Sequence, residues 1–217
     1  MSGRYHHLDD LPESIPVFPL SGVLLLPRGQ LPLNIFEPRY LTMVDAAMAG
    51  RRLIGMIQPV EPEEKTLKPA LAQVGCAGRL TSYREAEDGR YLITLTGICR
   101  FRVDAELELG TPFRQVRTDF TSYAGDLAAP EGADFPRERL IGALKAYLSR
   151  RDLKADWQSV LSAPAETLVN ALAMLCPFEP AEKQALLEAR DWSERVAILV
   201  ALLEMASVSA AGPASVN

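Results

Sequence analysis

Few side chains in this sequence are of the types that make or break covalent bonds, and their spacing is poor for catalysis. The two histidines, His6 and His7, are adjacent near the N-terminus, so the rest of the chain has no histidine for general acid–base or nucleophilic chemistry. The three cysteines, Cys76, Cys99 and Cys176, lie far apart among apolar neighbours. That pattern favours buried, reduced thiols over a disulfide framework or a metal knuckle.

Acidic clusters and phosphate-binding loops are the other features that could support chemistry. Glu63, Glu64 and the group Glu85, Glu87 and Asp88 lie beside turn residues, which is typical of solvated loop charges. A Gly-rich loop ending in Lys-Ser/Thr, which a P-loop ATPase needs to hold phosphates, does not occur in the sequence. The sequence therefore predicts no enzyme activity, no metal site and no cofactor.

The most distinctive spacing is in residues 15–40, where prolines and two glycines separate short apolar stretches. Because proline cannot donate to a sheet ladder, this segment predicts short edge strands that lead into a helix beginning at Pro38. Two roles are open for residues 36–40, the block that ends this segment. Phe36 and Tyr40 could anchor the helix while Arg39 pairs with a carboxylate, or the block could line a groove for an extended peptide.

A second set of candidates lies on a later strand. Arg100 and Phe101 follow Gly97, where a bulge or bend is expected. The favoured interpretation of Arg100 is a charged residue that keeps an edge strand soluble. The alternative is that it contacts a bound peptide. The candidate peptide-binding residues are Phe36, Glu37, Pro38, Arg39, Tyr40, Arg100 and Phe101.

Composition restricts the partners that this chain can bind. Its 217 residues are 48% hydrophobic and 24% charged, as in an ordinary soluble globular protein. The net charge of −5 disfavours a sequence-independent nucleic-acid binder, which needs a basic stripe to displace counterions. No signal peptide is visible and no 18 apolar residues run together, so the sequence predicts a cytoplasmic protein without membrane spans.

Turn and helix signals divide the chain into two halves. Residues 14–124 predict about six strands and one helix at 38–49, in a small, closed or strongly curled sheet. The pair Asp88-Gly89 predicts a hairpin turn within it. Residues 134–206 contain apolar positions at helical spacing and predict a set of amphipathic helices.

Three segments are predicted to lack regular structure. Residues 1–13 are polar and are expected to be flexible. Residues 59–70 combine prolines and charges without periodicity, which favours a solvated loop. The Ser/Ala/Gly/Pro-rich tail, residues 207–217, is expected to be disordered.

Several of these segments resemble the N-terminal, substrate-binding domain of Lon proteases. The resemblance covers roughly residues 15–206. It implies an α+β fold, with a PUA-like curled β-barrel in the first half and an α-helical bundle in the second. The segments that carry it are Pro16-Val-Phe-Pro-Leu20, Leu31-Pro-Leu-Asn-Ile-Phe-Glu-Pro-Arg-Tyr40, Gly55-Met-Ile-Gln58 and the Gly89 to Arg102 pattern.

The same resemblance implies a function. The chain would be a non-enzymatic module that binds unfolded or exposed apolar polypeptide segments, without the ATPase and Ser–Lys peptidase domains of a Lon protease. It could then act as an adaptor or regulator for a Lon-type or other ATP-dependent protease. Two alternatives stay open: an RNA-binding PUA-like module, which the acidic balance disfavours, and a small-molecule sensor with a pocket between barrel and helices.

Overall fold

The computed structural model describes residues 5–61, 68–128 and 135–208. The strands come first, with one α-helix among them, and the remaining α-helices follow. The strands are β1 (Ser14–Pro19), β2 (Gln30–Ile35), β3 (Leu53–Pro59), β4 (Leu71–Glu85), β5 (Tyr91–Leu107) and β6 (Arg114–Asp119). The helices are α1 (Pro38–Ala49), α2 (Arg137–Arg150), α3 (Trp157–Ser162), α4 (Ala165–Leu175), α5 (Pro180–Glu188) and α6 (Trp192–Val208), with 3-10 helices at Leu8–Asp10 and Thr121–Leu127.

The long strand β5 is the point at which the sheet closes on itself. Its first half pairs with β2 and β4, and its second half pairs with β4 and β6. From β4 the pairing continues to β3, then to β1, and β6 joins β1 back to β5. The described strands thus form a closed ring of pairings with β2 as an added edge. The α+β class is confirmed, whereas the PUA-like topology of the ring stays a prediction.

Local signals placed several of these elements correctly. Helix α1 begins at Pro38, as predicted, with Glu37 as its N-cap residue. The Asp88-Gly89 turn joins β4 to β5, and Gly89 has the left-handed φ of 81° that favours glycine there. The register of β4 and β5 shifts next to Gly97, so the predicted bulge is confirmed as well.

The inside of the ring is filled around one aromatic side chain. Phe101 is fully buried and its ring packs edge-on against Phe120, with 6.0 Å between centroids. The ring lies over the backbone of β3 and β4. A Cβ added at Gly55 or Gly75 would come within 2.9 or 2.6 Å of Phe101 Cζ, so the two glycines make room for it.

The helical half is built on α2 and α6, which pack against each other. The spacing of Leu140, Ile141, Leu144 and Leu148 predicts one apolar stripe on α2, of which the first three are buried and Leu148 is half-buried. The sequence Asp191-Trp-Ser-Glu194 predicts a capping box at the start of α6, and it forms only in part. Asp191 accepts a hydrogen bond from the Glu194 N–H at 2.9 Å, but the Glu194 carboxylate accepts from the N–H of Arg190 instead.

Two short elements escaped prediction. Asp156 caps α3 by accepting hydrogen bonds from the N–H groups of Gln158 and Ser159. The segment predicted to be flexible at the N-terminus contains the 3-10 helix Leu8–Asp10 and the buried Leu11, so it does not wholly lack regular structure; its flexibility stays a prediction. Most of the tail that is predicted to be disordered, residues 209–217, lies outside the described residues. So does the middle of the predicted solvated loop, residues 62–67.

Burial of the thiols gives a first testable consequence. The cysteines are free and buried, and loss of hydration raises the pKa of Cys99 to about 12 and that of Cys176 to about 11. The native chain is therefore expected to react very slowly with a thiol-specific reagent at mildly alkaline pH. In the urea-unfolded chain, all three thiols should react at once. Rapid labelling of the native protein would contradict this burial.

The same shifts determine a pH dependence. The folded state keeps thiol protons that the unfolded chain loses above the ordinary cysteine pKa. The thiol contribution to stability is thus fully present below that value and decreases as the pH rises towards the raised folded values. Urea unfolding at a series of increasingly alkaline pH values measures this decrease in the free energy of unfolding.

Candidate functional site

A groove of about 600 Å³ lies beside the block of residues 36–40. The block contributes Arg39 and Tyr40 to its lining. Residues 106–114, which form the end of β5, the connecting turn and the start of β6, contribute most of the rest. The other lining residues are Pro19, Pro59, Lys68 and Pro69.

The block is held in place by contacts within it and with β1. Pro38 occupies the first turn of α1, where its missing N–H has no intrahelical partner to lose. Arg39 makes an ion pair with Glu37, with 2.9 Å between Nη2 and Oε2, and its guanidinium lies 4.5 Å from the centre of the Tyr40 ring. Tyr40 is buried and its ring centre is 4.3 Å from that of Phe18. Tyr40 and Arg39 thus make the contacts that an architectural role requires, and both alternatives for these residues stay predictions.

A second ion pair lies across the β5–β6 hairpin. Arg114 donates to both carboxylate oxygens of Glu106 at 2.8 and 2.7 Å, and to the Pro69 carbonyl oxygen at 2.6 Å. The Nζ of Lys68 is 3.6 Å from Glu106. The hydrogen bonds from Arg114 hold the pKa of Glu106 below its ordinary value, so this carboxylate is charged at neutral pH.

Exposed apolar side chains accompany these charges. Leu109 lines the groove and is 57% exposed, in a turn that Gly110 makes possible with its φ of +68°. Val60, which follows the lining residue Pro59, is 60% exposed, and Phe36, three residues before Arg39, is 65% exposed. Apolar surface beside fixed charges can bind an extended chain, with side chains on the apolar part and backbone amides at the charges.

The structure brings together only part of the predicted set. Arg39 and Tyr40 line the groove, Glu37 and Pro38 position them, and Phe36 is exposed instead of anchoring the helix as the architectural interpretation expected. The described residues contain no group of three His, Cys, Asp or Glu side chains that could hold a metal ion.

The prediction for Arg100 and Phe101 is wrong. Arg100 is 3% exposed and Phe101 is fully buried, so neither can contact a bound peptide in this conformation. The prediction placed them on an exposed edge strand. Here β5 pairs with β4 on one side, and on the other the Arg100 N–H donates to Asp126 of the 3-10 helix Thr121–Leu127, just before the pairing with β6 begins at Arg102. Arg100 is instead part of a buried ion pair with Asp126.

Residues 106–114 were missed as part of the site. Glu106-Leu-Glu-Leu109 alternates as a strand does, and the following Gly110-Thr-Pro112 resembles an ordinary turn, so neither part indicates a binding site. The one signal was Leu109, an apolar residue among turn-forming neighbours. A leucine that no core can accommodate within so short a turn tends to remain exposed, as it does here.

Sequence comparison relates most of the chain to one family. The family model for the substrate-binding domain of ATP-dependent protease La (LON) matches residues 14–205. Lon protease 2 of Thermus thermophilus is 27% identical over 211 residues, which cover 89% of this chain and 24% of that protease. Lon protease of Desulfosudis oleivorans is 33% identical over 96 residues, 43% of this chain and 12% of the protease. The chain thus spans about a quarter or less of these relatives.

Solved structures show the same fold. The N-terminal domain of a Mycobacterium avium complex Lon protease superposes with a TM-score of 0.63 at 18% identity, covering 88% of this chain and 97% of that domain. A Lon N-terminal domain protein from Xanthomonas campestris gives a TM-score of 0.58 at 23% identity, over 88% of this chain and 96% of that one. The family-model match over residues 14–205 establishes that the chain belongs to the Lon substrate-binding domain family.

Proposed function

We propose that this chain recognises other polypeptides, binding unfolded or exposed apolar segments in the groove beside residues 36–40 without catalysing a reaction itself. Membership in a family of substrate-binding domains supports polypeptide as the ligand class. The observation that carries the site is the exposed Leu109 in a groove that also contains the Arg39 and Glu106 ion pairs.

The groove is suited to weak binding. A shallow site that buries about 600–800 Å² gains about 15–20 kcal/mol from apolar contact at about 25 cal/mol per Å². The loss of rigid-body freedom costs about 4–15 kcal/mol, and ordering the peptide costs more, which leaves micromolar to millimolar affinity. Such a module is effective when several weak contacts act together on one client.

A leucine-to-aspartate pair of variants tests the site. Leu109→Asp places a charge in the groove and is expected to weaken binding of a fluorescently labelled unfolded model protein about tenfold, equivalent to the loss of one buried leucine contact of about 1.4 kcal/mol. Fluorescence anisotropy gives the affinities. Leu153→Asp is the matched control, because Leu153 is similarly exposed, at 50%, but lies after α2 in the helical half.

The outcomes separate the site from the function. Equal affinities of both variants and the unmodified chain would show that the groove is not where the polypeptide binds. No binding of the model protein by the unmodified chain at high micromolar concentration would contradict polypeptide recognition altogether.

Three finer features belong to the same proposal. The closed ring of strands is inferred to be a PUA-like barrel, with residues 14–124 and 134–206 as separate subdomains. The protein is inferred to be cytoplasmic; within its described residues, no helix is long and apolar enough to cross a bilayer. The family match does not support the RNA-binding and small-molecule-sensor alternatives.

We also propose an adaptor or regulator role towards an ATP-dependent protease. The family match supports it, because the chain corresponds to the part of the protease named for substrate binding. Degradation of an unfolded client by a Lon-type protease, measured with increasing amounts of this chain, should change in rate. The Leu109→Asp variant should have less effect. An unchanged rate at saturating concentration would contradict this role.

A further inference from the structure

A second, smaller crevice of about 180 Å³ lies where β5 meets the junction of α5 and α6. Four arginines from distant parts of the chain line it: Arg28, Arg100, Arg190 and Arg195. Convergence of four guanidinium groups on one small space is unusual, since like charges repel and each is costly to remove from water.

Three of the four arginines have carboxylate partners. Arg28 pairs with Glu166, Arg190 pairs with Glu194, and Arg100 pairs with the buried Asp126. Asp191, the remaining carboxylate in the lining, already accepts the hydrogen bond from the Glu194 N–H.

Arg195 differs from the other three. Its Nε donates to the Leu186 carbonyl oxygen at 3.1 Å, and its side chain forms no ion pair among the residues that the structure describes. Its Nη2 has no hydrogen-bond partner there either, although the residue is only 4% exposed. A buried charge of this kind is strongly destabilising unless an anion balances it.

The charge of Arg195 persists at neutral pH. Burial, and secondarily the positive charge of Arg100, lower the pKa of Arg195 to about 10, which is still well above 7. Among the described residues that line the crevice, the buried side chains therefore carry two positive charges, on Arg100 and Arg195, and one negative charge, on Asp126. The other carboxylate of this lining, Asp191, is exposed.

The start of α6 adds a second favourable contribution. This helix has 17 residues and begins at Trp192, which lines the crevice. The N-terminus of a long helix carries a partial positive charge that favours an anion, although Asp191 already accepts a hydrogen bond from the Glu194 N–H there. The volume of about 180 Å³ is sufficient for a small oxyanion and a few water molecules.

We propose that this crevice binds a small tetrahedral oxyanion of the inorganic phosphate class, which neutralises Arg195 and stabilises the junction between the strands and the helices. The ligand contacts guanidinium groups on β5, on α6 and in the connection between α5 and α6. Its binding thus links segments that are distant in sequence. This site is separate from the groove at residues 106–114, and the proposal does not depend on polypeptide recognition.

Thermal unfolding of the intact chain tests the proposal, with inorganic phosphate as the probe and sodium chloride holding the ionic strength constant. Millimolar phosphate should raise Tm along a saturable curve, by about 5–10 °C at a hundredfold excess over Kd. Calorimetric titration should give the same Kd. A Tm that does not change, or that rises without saturation as expected of a salt effect alone, would overturn the proposal.

Variants locate the binding site. Arg190→Gln should weaken phosphate binding about tenfold, as expected for one charge-assisted hydrogen bond. Arg139→Gln is the matched control: Arg139 is also an exposed arginine paired with a glutamate, Glu204, but it does not line the crevice. Equal phosphate affinities of these two variants would refute the proposed site.

Arg195→Gln removes the unbalanced charge itself. We expect it to abolish the phosphate-dependent rise in Tm. If this variant fails to fold, the comparison of Arg190→Gln with Arg139→Gln decides the question, since both residues are exposed and neither is part of the core.

Discussion

Replacing Asp126 with alanine is expected to lower the free energy of unfolding by about 3–5 kcal/mol, the range observed when one partner of a buried ion pair is removed. Asp126 is 8% exposed and accepts three hydrogen bonds from Arg100. The donors are the backbone N–H, Nε and Nη2 of Arg100, at 3.0, 2.8 and 2.9 Å. The variant leaves Arg100 and Arg195 buried together with no carboxylate beside them. Urea unfolding monitored by circular dichroism measures the loss.

The control for this variant is an exposed pair of the same chemistry. Asp104 pairs with Arg117 at 2.7 Å, but both side chains are more than half exposed. Exposed ion pairs contribute about 0–1 kcal/mol, so Asp104→Ala should unfold at nearly the same urea concentration as the unmodified chain. Similar losses for Asp126→Ala and Asp104→Ala would show that burial of the Arg100–Asp126 pair is not what makes it important.

Replacing Gly97 with alanine is the second change with a large expected effect. A Cβ at this position would overlap the carbonyl oxygen of Leu26 and lie 2.8 Å from its carbonyl carbon. Backbone cannot move aside as a flexible side chain can, and the strand and loop are also tied by hydrogen bonds. The Arg28 N–H donates to the Gly97 carbonyl oxygen at 2.8 Å, and the Gly97 N–H donates to Gly29 at 2.9 Å. We expect a loss of about 3 kcal/mol.

A second glycine-to-alanine change should have the opposite sign. Gly142 lies within α2, and an added Cβ would meet nothing within 4 Å. Alanine is favoured over glycine in a helix interior by about 0.5–1 kcal/mol, so Gly142→Ala should raise stability by that amount. Equal stabilities of Gly97→Ala and Gly142→Ala would contradict the close approach of the Leu26 backbone to β5.

Polar side chains join the two halves of the chain. Gln58 of β3 donates to the Pro180 carbonyl oxygen, and Lys183 of α5 donates to that of Gly22. The Asn170 side chain of α4 donates to the Pro27 carbonyl oxygen. The Arg100 guanidinium donates to the carbonyl oxygens of Leu187 and Ala189 at the end of α5. These contacts position the helices on the sheet, so loss of the Arg100–Asp126 pair should affect both halves together.

Features that depend on a few neighbouring residues could be predicted. Pro38 begins α1 because its fixed φ suits a first helical turn, and Gly89 forms the hairpin turn because it tolerates a positive φ. Two positions of the candidate site, Arg39 and Tyr40, were found in this way. The remainder of the groove was not found, because the β5–β6 turn reaches residues 39 and 40 only through strand pairings that the local sequence does not encode.

Pairings between distant segments account for the other errors. The pairing of β3, β4 and β5 encloses Phe101 inside the ring, whereas Arg100, on the opposite face of β5, is buried against Asp126 and the end of α5. An arginine in a strand is usually exposed, and nothing near Arg100 in sequence indicates that Asp126 will balance its charge.

By itself, the sequence determined the α+β class, the Lon-type family and the positions of most turns and helices. These depend on backbone restrictions at single residues and on the spacing of apolar positions, which act over a few residues. Only the tertiary structure decided which arginines are buried, which carboxylate pairs with each, and which loop completes the groove. Burial and charge pairing depend on groups that the closed ring brings together from far apart in the chain, as with Arg100 and Asp126, so no local pattern could specify them.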